Sequence, residues 1–488
     1  MHKRHNYFKK HNIDYAPGYF PFGSSLVWKC FTGQESLLQV ADSYYDQFPN
    51  AKAFGFFKPF GQPVLAIKDL DLAKRIMGKD FDHFIDREFV KPNPKANKHA
   101  TLMLTLQKGE KWRIQRSTLT PMFTSSKLKA IMPLVNQCGE DLVSYVAASN
   151  EIDCKEVCSR FTIELLGTLG CGIKPNVLQK GQNVFFDQAM KLSGAAEPNL
   201  IDLLRFTFLF FFPDIAYALN MPLFNGDNIK YFTDIMTNSL KSRTDKSHRR
   251  NDFIDLIKDA VEELDEEKKK ELFAGGVDLL DYITANGLML FFVGNDTSSG
   301  ALAYALHNLA KYPDLQEKVY QEVQDAIDEN NDNQNLDYNS LNNLEYMGKF
   351  IRETIRLWGL NFFDRTCTKD YFVPELNFTI PKGMHVTLAG GNMHKSSDNF
   401  EDPLSFDPEK HFENNSQFHP NFIGFGQGPR NCIGMRLAYI IIRTGLVHIV
   451  ANYKIAKGPK FKDTFDWIPN VPGGIGHGSM HVSLEPRK

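Results

Sequence analysis

Near the C-terminus one cysteine sits in a glycine-rich loop, Phe425-Gly426-Gln427-Gly428-Pro429-Arg430-Asn431-Cys432-Ile433-Gly434, followed at once by an apolar run from Met435 to Val450. The run reads as a helix, so Cys432 lies where unpaired N–H groups and the positive end of the helix dipole favour an anion. A thiolate, the metal-binding form of cysteine, is expected there without help from a protein cation. Gly428 and Gly434 let the backbone pass close to a flat, bulky ligand, and Arg430 is placed to reach an acidic group on it. A lone free cysteine is ordinarily a small buried hydrophobe, and the residues by themselves leave both readings open.

A second constellation, Phe291-Phe292-Val293-Gly294-Asn295-Asp296-Thr297-Ser298-Ser299, interrupts an apolar helical stretch from about Leu279 to Leu309 that Pro313 ends. Polar residues beside a glycine in mid-helix are locally unfavourable, because their side chains compete for the backbone. Such a conflict marks either a kink with satisfied polar groups or a functional site. A third is Glu353-Thr354-Ile355-Arg356, whose acid and base are three apart and share a helix face. Exposed pairs of this kind are worth little, but Phe350, Ile351, Ile355 and Leu357 point to a buried setting.

The cysteine string resembles the haem-binding loop of the cytochrome P-450 superfamily, in which Phe, Gly, Arg, Cys and Gly recur at these offsets before a helix. The resemblance spans essentially the whole chain and implies a mainly α fold with a smaller β-rich part. Haem would lie between a long central helix and a cysteine loop preceding a C-terminal helix. It implies haem b as cofactor and Cys432 as its axial thiolate ligand. Phe425, Gly428, Arg430 and Gly434 would line the cofactor. Trp112 and Arg116 match the family's Trp-x-x-x-Arg, and Arg365 matches a further propionate-binding arginine. Asp296 and Thr297 resemble the acid–alcohol pair that relays protons to bound dioxygen, with Val293 replacing the usual Ala.

Glu353 and Arg356 resemble the structural Glu-x-x-Arg behind the haem, although the proline that often follows is replaced by Leu357-Trp358-Gly359-Leu360. The family's third partner is an arginine in a Phe-x-Pro-Glu-Arg-Phe string. Here the string is Phe406-Asp407-Pro408-Glu409-Lys410-His411-Phe412, one residue longer and without that arginine. Lys410 or His411 must substitute.

The elements that would position these groups are legible in outline. An amphipathic pattern at 35–45 precedes a strand-and-turn region from Phe54 to Ile67, punctuated by Pro59, Gly61 and Pro63. Helical patterns dominate from Trp112 to about Leu360, with polar breaks at 241–251 and 328–339. Short β-like pieces follow from Asp364 to Glu409. The reading is of residues 1–25 as a basic, proline-rich segment and 26–488 as a single monooxygenase domain. Fifty-six basic against 58 acidic residues give no whole-chain signal for nucleic acid. Seven cysteines without framework spacing predict a reducing compartment, and Cys154 and Cys158 share a helix side without further zinc ligands.

The resemblance implies a monooxygenase that oxidises an apolar organic substrate with dioxygen and electrons from an NADPH-dependent flavoprotein reductase. The alternative is a haem-thiolate isomerase or dehydratase acting on peroxides without reductase, against which the Asp296-Thr297 pair argues. A haem sensor or carrier without turnover is a third class. Leu290, Phe291, Leu360, Phe362 and Ile475 are candidate pocket residues. Fine resemblance points to the animal microsomal branch that includes xenobiotic oxidisers and thromboxane synthase, hence the cytoplasmic face of the endoplasmic reticulum membrane. The sequence contains no run of about 18 apolar residues. It begins where such enzymes' anchor would end, as in a truncated or a peripherally bound form. The run from Leu203 to Pro213, rich in Phe, is read either as core or as a lipid-dipping segment beside the substrate entrance.

Overall fold

The computed structural model describes residues 6–487 apart from 26–28, 30–34, 36, 194–199, 244–249, 251, 332, 360–361, 414–418 and 466–477. Helices carry most of these residues, and four small sheets carry the rest of the regular structure. In the largest sheet, β1 (Ala53–Lys58) and β2 (Gln62–Ile67) form a hairpin around the Pro59–Gly61 turn. β3 (Phe362–Thr366) pairs antiparallel with β4 (His385–Ala389), and β4 runs parallel to β2, giving the order β1-β2-β4-β3. Strand alternation sends Phe57 into a core with Phe8 while Phe54, Phe56 and Lys58 face the opposite side.

Six helices matter for the site: α1 (Gly109–Leu119), α2 (Cys154–Leu166), α3 (Leu200–Phe211), α4 (Leu279–Lys311), α5 (Glu345–Trp358) and α6 (Met435–Asn452). α4 runs about 50 Å through the molecule. Asp278 caps it by accepting from the Asp281 N–H, and the Asp281 side chain returns the bond, so two orphan donors are satisfied at its start. Pro313 opens the next helix and stops it. α4 packs along α2 and α6. The α6 approach is close enough that a Cβ at Gly445 would sit 2.6 Å from Leu302.

The second polar break is narrower than the sequence pattern, whereas the first, bounded by helices ending at Lys241 and starting at Phe253, has the expected length. One helix runs to Lys241 and another to Glu329, and a short helix resumes at Tyr338. Cys154 and Cys158 are buried on α2, where desolvation pushes both thiols up and leaves them inert. No helix among the described residues is long and apolar enough to cross a membrane.

Candidate active site

Cys432 opens onto a cavity of about 950 Å³ lined by α1, α3, α4, α6 and the faces of β1, β3 and β4. Its N–H donates to the Phe425 carbonyl at 2.8 Å, which folds the loop back on itself just before Gly434 caps α6. Burial pushes the thiol up, and the Gly434 N–H, Arg116 and Arg87 pull it partly back. The thiol is open to the cavity, and two cations join the helix end in favouring its ionised form. A coordinated metal would deprotonate such a thiol outright. Gly434 and Phe425 lie on the cavity wall. Gly428 does not: at φ +69° its missing Cβ leaves room for the Met77 carbonyl, which a side chain would meet at 1.9 Å. Its glycine is required by backbone packing rather than by a ligand.

Beside the cysteine, four arginines crowd together. Arg430 stacks on Trp112 with its guanidinium 4.2 Å from the ring centre and donates to the Ile85 and Gln107 carbonyls. Arg116 is bidentate to Asn431, through the carbonyl at 3.0 Å and the side-chain oxygen at 2.7 Å. Arg365 lies behind the wall rather than on it, fully buried, with one bond to the Asp364 carbonyl. Arg87, on the wall, carries no local motif that sequence reasoning could have caught. Desolvation and mutual repulsion push Arg430 down to about 8, and desolvation with the charge of Arg87 pushes Arg365 down to about 9. Buried nitrogens on Arg87, Arg365 and Arg430 have no acceptor among the described residues. A dicarboxylate such as haem would fit this excess of cationic donors, since buried charge of one sign is tolerated only when paired.

Across the cavity, α4 presents Leu290, Phe292, Val293, Gly294, Asp296 and Thr297. The helix is continuous here, and the Thr297 hydroxyl donates back to the Val293 carbonyl at 2.8 Å, which absorbs the polar residue without a break. Asn295 faces the other way, fully buried, 3.4 Å from the Ser193 hydroxyl. Phe291 is also misassigned by the sequence reading: it is buried against Phe185 and Phe232, with ring centres 5.7 and 5.2 Å away, while Phe292 takes its place on the wall. Phe362 lines the cavity; Leu360 and Ile475 lie outside the described residues. In the Phe-rich run, Phe206, Phe210 and Phe211 line the cavity, and Phe212 packs on Phe60 at 5.7 Å.

Behind the cysteine loop, Glu353 and Arg356 on α5 form a fully buried bidentate pair at 2.7 and 2.9 Å. Arg356 spends its remaining donors on the carbonyls of His394, Pro403 and Ser405. The third partner is His411, whose Nδ1 is 2.9 Å from Glu353 Oε1, whereas Lys410 turns outward to Glu401. The extra residue in the string moves the basic group one position on, and the shorter imidazole fills the space.

Similarity to known proteins agrees with this geometry. The family model for cytochrome P450 matches residues 30–474. The chain belongs to the cytochrome P450 family. Among similar proteins, probable cytochrome P450 6a13 of Drosophila melanogaster is 32% identical, covering 85% of this chain and 82% of its own length. Probable cytochrome P450 9f2 of the same fly is 28% identical over 93% and 90%. Cytochrome P450 6j1 of Blattella germanica is 28% identical over 92% and 87%. This cytochrome P450 is thus an oxidoreductase of the monooxygenase type, and the isomerase alternative gains nothing from its relatives. Membership implies haem with cysteine-thiolate ligation, an apolar substrate and a separate redox partner.

Proposed function

We propose that this cytochrome P450 oxidises an apolar organic substrate in the Phe-lined cavity, with Cys432 as the thiolate ligand of haem b. One atom of dioxygen enters the substrate and the other leaves as water. The observation that carries the assignment is a cavity-facing cysteine beside four arginines that form no ion pair with an acid among the described residues. Trp112, Arg87, Arg116 and Arg430 would hold the propionate side, with the charge of Arg365 added from behind the wall. When bound, the haem supplies dioxygen activation, and a thiolate ligand favours O–O cleavage.

The chain's own residues then have distinct tasks. The apolar wall formed by Leu290, Phe292, Phe206 and Phe210 excludes water and orients the substrate. Asp296 and Thr297 hold exchangeable protons at the same wall, the hydroxyl fixed by its bond to the Val293 carbonyl. Electrons are supplied by an NADPH-dependent flavoprotein reductase, the partner class that the family uses.

In this reading the enzyme works at the cytoplasmic face of the endoplasmic reticulum membrane, in peripheral contact with lipid. Exposed Tyr19, Phe20, Phe22 and Phe60 support this, because Phe60 packs on both Phe20 and Phe212 and so joins them to exposed Ile215, Tyr217 and Leu219. The phenylalanines of the 210–211 pair turn inward, so the lipid-facing groups are these flanking residues.

The deciding experiment is the carbon monoxide difference spectrum of the reduced protein. The wild type gives the red-shifted band of thiolate ligation, and Cys432→His keeps some haem but loses that band. An unchanged band in the variant would refute the assignment.

A further inference from the structure

The C-terminal half of α4 begins a row of aromatic side chains that the monooxygenase reaction does not use. Tyr304 follows Thr297 by two helical turns, so both face the cavity, and its phenol is buried there within the field of Asp296. Phenylalanine would fill the same space; the hydroxyl adds a removable proton near a carboxylate. The Tyr304 ring stacks on Trp358 of α5, with centres 6.0 Å apart and planes 22° apart. Trp358 meets Phe406 at 5.5 Å, and Phe406 stacks on Tyr312 at 5.1 Å and 11°.

The row therefore starts on the cavity wall and ends at a partly exposed tyrosine. Phe465 packs on both Tyr304 and Trp358, at 5.2 and 6.0 Å, and covers the inner contact. Aromatic packing alone is ordinary core. What sets this row apart is its chemistry, because phenols and indoles are the side chains that lose one electron most readily. Ring-to-ring contact lets an electron pass along the row without a diffusing carrier. On oxidation Tyr304 can release its proton toward Asp296 and recover it on reduction. Tyr312, bordered by Lys311 and Asp463, can exchange its own proton with solvent.

We propose that Tyr312, Trp358 and Tyr304 form a one-electron route from the surface to the cavity, by which the enzyme reduces organic hydroperoxides with water-soluble donors such as ascorbate. The hydroperoxide ROOH takes up two electrons and two protons, its O–O bond breaks, and ROH and water leave. Two ascorbate anions at Tyr312 each give up one electron and one proton and leave as monodehydroascorbate. Two protons are thus released to solvent at the surface and two are taken up at the cavity through Asp296, which balances the reaction. Such a donor is too polar for the apolar cavity, and the aromatic row lets it act without entering. The proposal rests on the haem-thiolate reading of the cavity.

The test mixes ferric holoenzyme with cumene hydroperoxide and follows two readouts, the tyrosyl radical by freeze-quench electron paramagnetic resonance and the oxidation of ascorbate. The wild type should give a tyrosyl signal that ascorbate quenches. Tyr304→Phe should lose most of that signal. Ascorbate oxidation should slow severalfold in Tyr304→Phe, in Tyr312→Phe and in Trp358→Phe, which keeps a ring but one that is harder to oxidise. Retention of the thiolate carbon monoxide band in the variants separates loss of the route from loss of the fold. No tyrosyl signal in the wild type, or ascorbate oxidation unaltered in all three variants, overturns the proposal. Absence of the carbon monoxide band from the wild type would instead overturn the underlying haem-thiolate reading, whereas an intact band without a tyrosyl signal removes the aromatic route alone.

Discussion

His411 Nδ1 lies 2.9 Å from Glu353 Oε1, and its Nε2 lies 2.7 Å from the Glu401 carbonyl. Both neighbours are acceptors, so only the imidazolium donates at both ends. Burial opposes that charge, but the bonds to Glu353 and to Glu401 outweigh it and raise the pKa of His411 above its ordinary 6.5. A buried core centred on an acid and an arginine is thereby given a titratable third member.

The sign follows from linkage. With the folded value above the unfolded one, the stabilisation is fully present below about pH 6.5 and is lost as pH rises through the folded value. His411→Arg should therefore raise the melting temperature at pH 9 and change it little at pH 6. His411→Ala should lose roughly 1.5–3 kcal/mol at pH 6, the range for a bond to a charged group. Parallel wild-type and His411→Arg melting curves across pH would contradict this.

Removing one partner of the buried pair is a harsher change. Glu353→Ala leaves Arg356 charged and uncompensated among three carbonyls, at a cost of about 3–5 kcal/mol. Haem content per polypeptide after purification should collapse for Glu353→Ala and for Arg356→Ala. Stable holoprotein from both would mean that the pair does not support the cofactor side.

Thr297→Ala deletes a hydroxyl held on the Val293 carbonyl without creating a large void. Substrate binding should persist while reducing equivalents are diverted to hydrogen peroxide. Product formation should fall by about 10² or more, the contribution of positioned proton transfer. The check is product and peroxide measured per NADPH consumed, with Thr297→Ser expected to restore coupling.

For the membrane, the informative variant changes the exposed patch. Phe20→Ser, Ile215→Ser and Leu219→Ser together should release the protein from liposomes in a flotation assay and leave the haem spectrum intact. Serine at Phe210 and Phe211, which line the cavity, should instead disturb substrate binding. Unchanged flotation of the triple variant would contradict lipid contact through this surface.

Legibility in the sequence tracked the range of the interactions. The cysteine loop, α4 with its polar interruption and the Glu353–Arg356 spacing are local patterns, and each was readable from consecutive residues. Side-chain direction within α4 was less so: Phe291 and Phe292 are adjacent and identical, and only packing against Phe185 and Phe232 decides which one faces the cavity. Arg87 was invisible because its setting is made by distant strands and loops. Gly428 was misread for the same reason, since the backbone it accommodates lies some 350 positions earlier in the chain, at Met77.

The crowding of Arg87, Arg116, Arg365 and Arg430 means that the folded polypeptide carries unrelieved repulsion until an anion arrives. A dianionic cofactor that binds only the folded chain would relieve that repulsion, so that its free concentration would enter the stability of the protein by mass action. Cofactor supply, as well as synthesis of the chain, sets how much enzyme survives the cell's proteases.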